Sequence, residues 1–288
     1  MRSHRILIAV AALVVVAAGC DFPNLDPQGA APVRYRDQIY SLAQVVKTSD
    51  VTYGSAQNLS NQTVTLKLDV YAPPASDPVT KRPAIIWIHG GSFSGGDKTS
   101  PELVDESQSF AREGYMNFSI NYRLEPGGCS ASAPTGNCVK AIQEATADGQ
   151  TAVTWLRSHA STYGVDPYRI AVGGSSAGAI TAAQIGYATS ETPASAVRAA
   201  VSLSGANLLS TVSAGDAPAL FFHGTADPLV PYQWAVNTVD QAHAAHLDAF
   251  LETWPNEGHV PYAQHHDQIL TQTRNFLYWE MDLAHAAH

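Results

Sequence analysis

The sequence is short of charge. Lys, Arg, Asp and Glu together make up 14% of its 288 residues, acids outnumber bases 25 to 16, and the formal net charge is −9. Without a basic stripe the chain lacks the electrostatic footprint that draws proteins to phosphate backbones or anionic membrane surfaces, so nucleic acid is excluded as a main partner. Cysteine is scarce as well: three residues are too few for a disulfide-stapled mini-scaffold. The apolar run from Ile6 to Ala18 falls short of the ~20 residues that a spanning helix needs. Histidine is plentiful at 11, but no His-x-x-x-His spacing or paired carboxylates accompany it, so neither a metal nor an organic cofactor is expected. What the chain does have is apolar material. Hydrophobic residues reach 45%, with 5 Trp, 12 Tyr and 8 Phe, which supports one large packed interior and rules out long disorder.

The N-terminus carries Arg2, His4 and Arg5, the short apolar run, and then the small residues Ala17, Ala18 and Gly19 before Cys20. That layout is a signal peptide over residues 1–19, and the exported chain follows it. The junction resembles a bacterial lipobox, although Ala17 stands where Leu is usual. The resemblance implies lipidation of Cys20 and membrane contact only through that lipid; simple cleavage near Ala18, giving a secreted or periplasmic chain, is the alternative. Residues 20–49 read as a Pro- and Asn-rich tether plus a short helix over 32–46, residues 50–280 as one domain, and 281–288 as a tail. Cys129 and Cys138 flank a stretch of small, turn-forming residues, and in an oxidising compartment they are expected to pair; two unrelated free thiols are the other possibility.

Residues 63–71, TVTLKLDVY, alternate apolar and polar residues as a half-buried strand does, with 51–55 as the partner. Beyond residue 84 the pattern changes to short continuous apolar runs at 84–88, 115–120, 169–173, 199–203, 219–223 and 249–254, separated by helical stretches near 101–113, 140–162, 177–188, 231–246 and 261–279. Runs without alternation are strands buried on both faces, so this is an α/β chain with a mostly parallel sheet.

Gly174-Ser175-Ser176-Ala177-Gly178 follows one such run and opens a helical stretch. A sharp strand-to-helix turn projects a serine hydroxyl above the sheet edge, and small neighbours let the backbone make it. His89-Gly90-Gly91 follows another strand; paired glycines there allow the N–H groups of Gly90 and Gly91, with that of Ala177, to receive a developing oxyanion. A plain Gly-rich turn is the bland reading of either motif alone, but both stand at strand ends in the expected order. A serine nucleophile needs a base and an orienting carboxylate. Asp227 lies in the polar turn after the 219–223 strand and His259 beside Gly258 after the last one. His223 is expected to be structural, and His265 and His266 to face solvent.

These residues resemble the serine carboxylesterases of the α/β-hydrolase fold that carry an HGG oxyanion motif, including hormone-sensitive-lipase-like and feruloyl or acetylxylan esterases. The resemblance runs over about residues 50–278 and includes LDVYAP at 68–73, HGGSF at 89–93, NYRL at 121–124, the elbow, and HGTADPLVP at 223–231. Ser175 departs from it, standing where Asp or Glu is usual. It implies an acyl-enzyme mechanism with Ser176, His259 and Asp227, acting on a small-molecule or carbohydrate ester. A prolyl-oligopeptidase-type serine peptidase would bring a propeller, for which the residues before the core are too few at ~40–50 per blade. A lipid-anchored binding protein on an inactive hydrolase fold would not need the intact Ser, Asp and His set. The connection 204–218 leaves little room for a lid, so an accessible cleft is expected, partly covered by the 32–46 helix and preferring acetyl to longer acyl esters.

Overall fold

The computed structural model describes residues 33–129 and 136–286. The apolar runs form a single eight-stranded sheet in the order β1-β2-β4-β3-β5-β6-β7-β8. The strands are β1 (Val46–Gln57), β2 (Thr63–Ala72), β3 (Arg82–Ile88), β4 (Met116–Ile120), β5 (Val165–Ser175), β6 (Ala199–Leu203), β7 (Ala219–Gly224) and β8 (Ala249–Trp254). β1 and β2 pair antiparallel, β2 joins β4 antiparallel, and every other pairing is parallel.

Helices cover both faces, which is why the central strands show no alternation. α2 (Asn137–Ser158), α4 (Ala177–Gly186) and α5 (Tyr232–Ala244) pack on one side, over Ile86, Ile88, Val172 and Phe221. On the other, α1 (Pro101–Arg112) and α6 (Tyr262–Glu280) cover Ile85, Trp87, Leu220 and Phe222. The short α3 (Ala160–Tyr163) follows the end of α2 at His159 and stops at Gly164, which is in the left-handed conformation. β8 differs from expectation: as the edge strand it buries only its two ends fully.

Three boundaries need correction. The predicted helix over 32–46 does not form in its described part, which holds a turn, a 3-10 segment at Leu42–Gln44, and the start of β1. Its backbone is engaged elsewhere: the N–H groups of Tyr35 and Ile39 donate to the carbonyls of Glu113 and Arg112, and Tyr35 is fully buried. The domain therefore begins before residue 50. At the other end, residues 281–286 are not a loose tail, because Met281, Leu283 and Ala286 pack into the α1/α6 side of the core. The signal segment, Cys20 and the tether lie outside the described residues. Between β6 and β7, residues 204–218 contain no helix or strand, so no lid element stands there. In place of the expected partial cover, the 33–40 segment lies at the Arg112 end of α1. That is about 15 Å along the axis, at ~1.5 Å per residue, from Glu102, which touches the elbow.

Candidate active site

Ser176 occupies the single residue between β5 and α4, with φ 53° and ψ −118°. A side-chain-bearing residue rarely adopts this conformation, and it persists only where its surroundings fix it. Here the neighbours do so. The Ser176 N–H donates to Leu203 O at 2.9 Å, and α4 passes so close to β3 that a Cβ on Gly178 would lie 1.9 Å from Ile88 O. Only glycine fits that approach, which accounts for the second Gly of the elbow.

The hydroxyl so presented meets His259. Ser176 Oγ is 2.7 Å from His259 Nε2, and His259 Nδ1 is 2.7 Å from Asp227 Oδ2. An ionised carboxylate can only accept, so Nδ1 carries the proton and Nε2 is left to accept from the serine. The Asp227 side chain is fully buried and that of His259 is 16% exposed. Burial works to raise the Asp227 carboxyl. Hydrogen bonds from His223, His259 and the N–H groups of Val230 and Leu229 outweigh it and hold the group well below the usual carboxylate range. The carboxylate is thus a fixed anion under the imidazole.

His223 is fully buried, in keeping with the structural role expected of it, but it also touches Asp227. Its Nε2 donates to Val230 O at 2.8 Å and lies 3.3 Å from Asp227 Oδ2, so a second histidine steadies the carboxylate from below. Nothing in the sequence pattern distinguished this contact from a purely structural histidine. His265 does not point freely into solvent: its ring stacks on Trp254 at 4.0 Å. His266 is half-exposed and pairs with Asp105 and Asp267. Among the described residues no group of three or more His, Cys, Asp or Glu side chains could hold a metal ion.

Gly90 and Gly91 lie beside Ser176. A Cβ on Gly90 would stand 3.1 Å from Ser176 Cβ, and Gly91 takes φ +117° where a Cβ would meet Gly95 O at 2.1 Å. Among the described residues the N–H groups of Gly90, Gly91 and Ala177 make no loop or cap hydrogen bond, which leaves them free to meet a ligand oxygen. The NYRL segment braces this loop. The Tyr122 hydroxyl donates to His89 O and its ring stacks on His89 at 4.4 Å, while Arg123 is held by Asp148. Cys129 and Cys138 are disulfide-bonded. The chain leading to Cys129 runs along the Gly90–Phe93 loop, where Cys129 N–H donates to Ser92 O at 2.9 Å and Glu125 N–H to Phe93 O at 2.8 Å. The Ser175 departure also has a structural counterpart: its hydroxyl donates to Glu102 Oε1 at 3.1 Å, so a carboxylate on α1 reaches the back of the elbow.

Comparison with known proteins finds esterases. The family described as BD-FAE matches residues 68–200, and the family described as TAP-like protein matches 185–278. Para-nitrobenzyl esterase of Bacillus subtilis (strain 168) is 32% identical over 120 residues, which is 42% of this chain and 24% of that protein. The chain spans less than half the length of the curated relatives it matches. Among solved structures, esterase 2 of Thermogutta terrifontis phosphoramylated by tabun superposes with a TM-score of 0.67 at 22% identity, covering 83% of this chain and 96% of that one. The butyrate-bound form of the same esterase gives 0.65 at 22% identity, over 83% and 95%. With the sheet order, the strand-to-helix elbow and matches running from residue 68 to 278, the chain has the α/β-hydrolase fold and is similar to carboxylesterases.

Proposed function

We propose that this chain hydrolyses carboxylic esters through an acyl-enzyme on Ser176. The observation that carries the reading is the continuous Ser176–His259–Asp227 relay, with both contacts at 2.7 Å. As Ser176 Oγ attacks the ester carbonyl, its proton passes to His259 Nε2, and the Asp227 anion stabilises the imidazolium. The carbonyl oxygen takes the negative charge and is received by the N–H groups of Gly90, Gly91 and Ala177. Collapse breaks the bond to the alkoxy group, which leaves as the alcohol with the His259 proton. A water then gives its proton to His259 and attacks the acyl carbon, releasing the acid and restoring Ser176.

The substrates are short acyl esters, with acetyl or feruloyl esters of sugars as the natural class. Two features support this. No lid element stands between β6 and β7, and the N-terminal segment is docked on the far end of α1, so neither segment supplies a wall for a long apolar tunnel. Each CH₂ left unburied forfeits ~0.8 kcal/mol of binding, whereas a bulky sugar alcohol meets no gate. A structural relative binds butyrate. The disulfide supports export to an oxidising compartment, with Cys20 as the lipid-bearing residue of a cell-envelope protein.

Hydrolysis of p-nitrophenyl esters of increasing acyl length, beside acetylated and feruloylated sugars, tests the reading. The expected result is kcat/KM highest for acetyl and falling beyond about C6 to C8. Faster cleavage of palmitoyl than acetyl esters overturns the substrate class. For the anchor, Cys20→Ala is expected to lose lipid labelling and leave the membrane fraction; a soluble parent protein beginning after residue 20 contradicts it.

A further inference from the structure

The three segments that carry Ser176, Asp227 and His259 meet at one dipeptide at the end of β6. The Ser176 N–H donates to Leu203 O at 2.9 Å. The next residue, Ser204, donates its N–H to Phe222 O at 2.8 Å, which fixes it to β7, the strand that leads into Asp227. The Ser204 hydroxyl oxygen accepts the N–H of Val260, the residue after His259, at 3.0 Å.

These links are not equivalent. The acid and base segments are laced together independently of Ser204: Thr225 N–H donates to Trp254 O at 3.0 Å, Ala226 N–H to Glu257 O at 2.9 Å, and Asn256 N–H to Thr225 Oγ1 at 2.9 Å. Asp227 and His259 therefore move as one body. Between the His259 segment and the nucleophile's strands the lacing is thin. Among the described residues, two hydrogen bonds join residues 255–261 to β5, α4 and the end of β6: the Ser176–His259 contact itself, and Val260 to Ser204.

The backbone on both sides of the second bond is in the left-handed region, with φ 58° at Ser204 and 48° at Val260. Neither serine nor a β-branched residue favours it; glycine or asparagine would sit there at less cost. A fully buried serine at such a position is explained by its hydroxyl, since nothing else about the residue suits the site.

We infer that Ser204 is a positioning residue for the reaction, holding the paired Asp227 and His259 in register with Ser176 through Val260. The inference rests on the reading of Ser176 as nucleophile and His259 as base. Without the hydroxyl, the acid–base pair stays intact but its distance to Ser176 is no longer fixed, and a misplacement of about 1 Å at a reacting group can cost ~100-fold in rate. Ser204 is enclosed within the fold, so ester binding does not depend on it directly.

The experiment compares Ser204→Gly and Ser204→Ala with Ser176→Ala. Glycine removes the hydroxyl and also suits φ 58°, so the fold is retained even where alanine is strained. Both Ser204 variants are expected to lose roughly 10- to 100-fold in kcat with KM within about threefold of the parent, and the Gly variant to melt within about 4 °C of it. A Ser204→Gly variant with parental kcat overturns the inference. So does a loss that appears in KM, or only alongside collapse of the melting temperature. Activity surviving in Ser176→Ala would instead remove the reading of the site on which it rests.

Discussion

Two parts of this molecule put residues into the left-handed conformation, and they do so with different residue types. Away from the site the positions are Tyr35, Asp50, Asn61, His246 and Asp282. Four of these five are the Asp, Asn and His types that tolerate the conformation well. At the carboxyl ends of β3, β5, β6 and β8 they are Ser92, Phe93, Ser176, Ser204, Asn256 and Val260, of which only Asn256 is of the tolerant kind. In the first group local chemistry suits the turn. In the second the conformation is imposed by contacts from distant parts of the chain: Leu203 on Ser176, Val260 on Ser204, and Gly128 and Cys129 against Ser92. Strain gathered on one rim and held from outside marks that rim as the working end.

The contrast breaks most severely at Ser176. Ser176→Ala is expected to lose nearly all esterase activity, on the order of 10⁶-fold if the relay acts as a unit, with melting temperature and circular dichroism nearly unchanged; activity above about a hundredth of the parent contradicts it. Next is Asp227→Asn, expected to lose about 10⁴-fold in kcat, since an amide cannot hold the His259 tautomer. The same variant carries a pH signature. A carboxyl held below its ordinary pKa contributes stability that is full above about pH 4 and is withdrawn as pH falls through the lowered value. Between pH 5 and 2 the parent should therefore lose more melting temperature than Asp227→Asn, and parallel acid curves would deny the contribution.

Reducing Cys129–Cys138 comes third. The segment it secures braces Ser92 and Phe93, so kcat should fall several-fold while the core stays folded; a closure this short contributes on the order of 2 to 3 kcal/mol at most. Unchanged kcat after verified reduction would separate the disulfide from the oxyanion loop. The smallest effect is expected at the tolerant positions. Asn61→Gly in the β1–β2 turn should leave kcat unchanged and stability within about 0.5 kcal/mol, measured by activity and denaturant unfolding.

What the sequence disclosed follows the same division. The parallel sheet, the elbow and the order Ser176, Asp227, His259 were legible because each is written locally, in apolar runs and in small residues at strand ends. The helix expected at 32–46 failed because Tyr35 and Ile39 dock their backbone on the end of α1, a tertiary contact that overrides the apolar spacing. Residues 281–286 looked like a tail, although Met281 and Leu283 complete the core beside α6. Ser204 and Glu102 were invisible because their partners, Val260 and Ser175, lie 56 and 73 residues away. Only the folded sheet edge brings them together.

In the proposed reaction Ser176, activated by His259, forms a covalent bond to the substrate acyl group. An active-site-directed fluorophosphonate followed by peptide mass spectrometry tests it most directly. One adduct per chain is expected, on Ser176, with activity lost in proportion to labelling and no adduct in His259→Ala over the same time. Full labelling at another residue, or an unlabelled Ser176 in an inhibited enzyme, would contradict it.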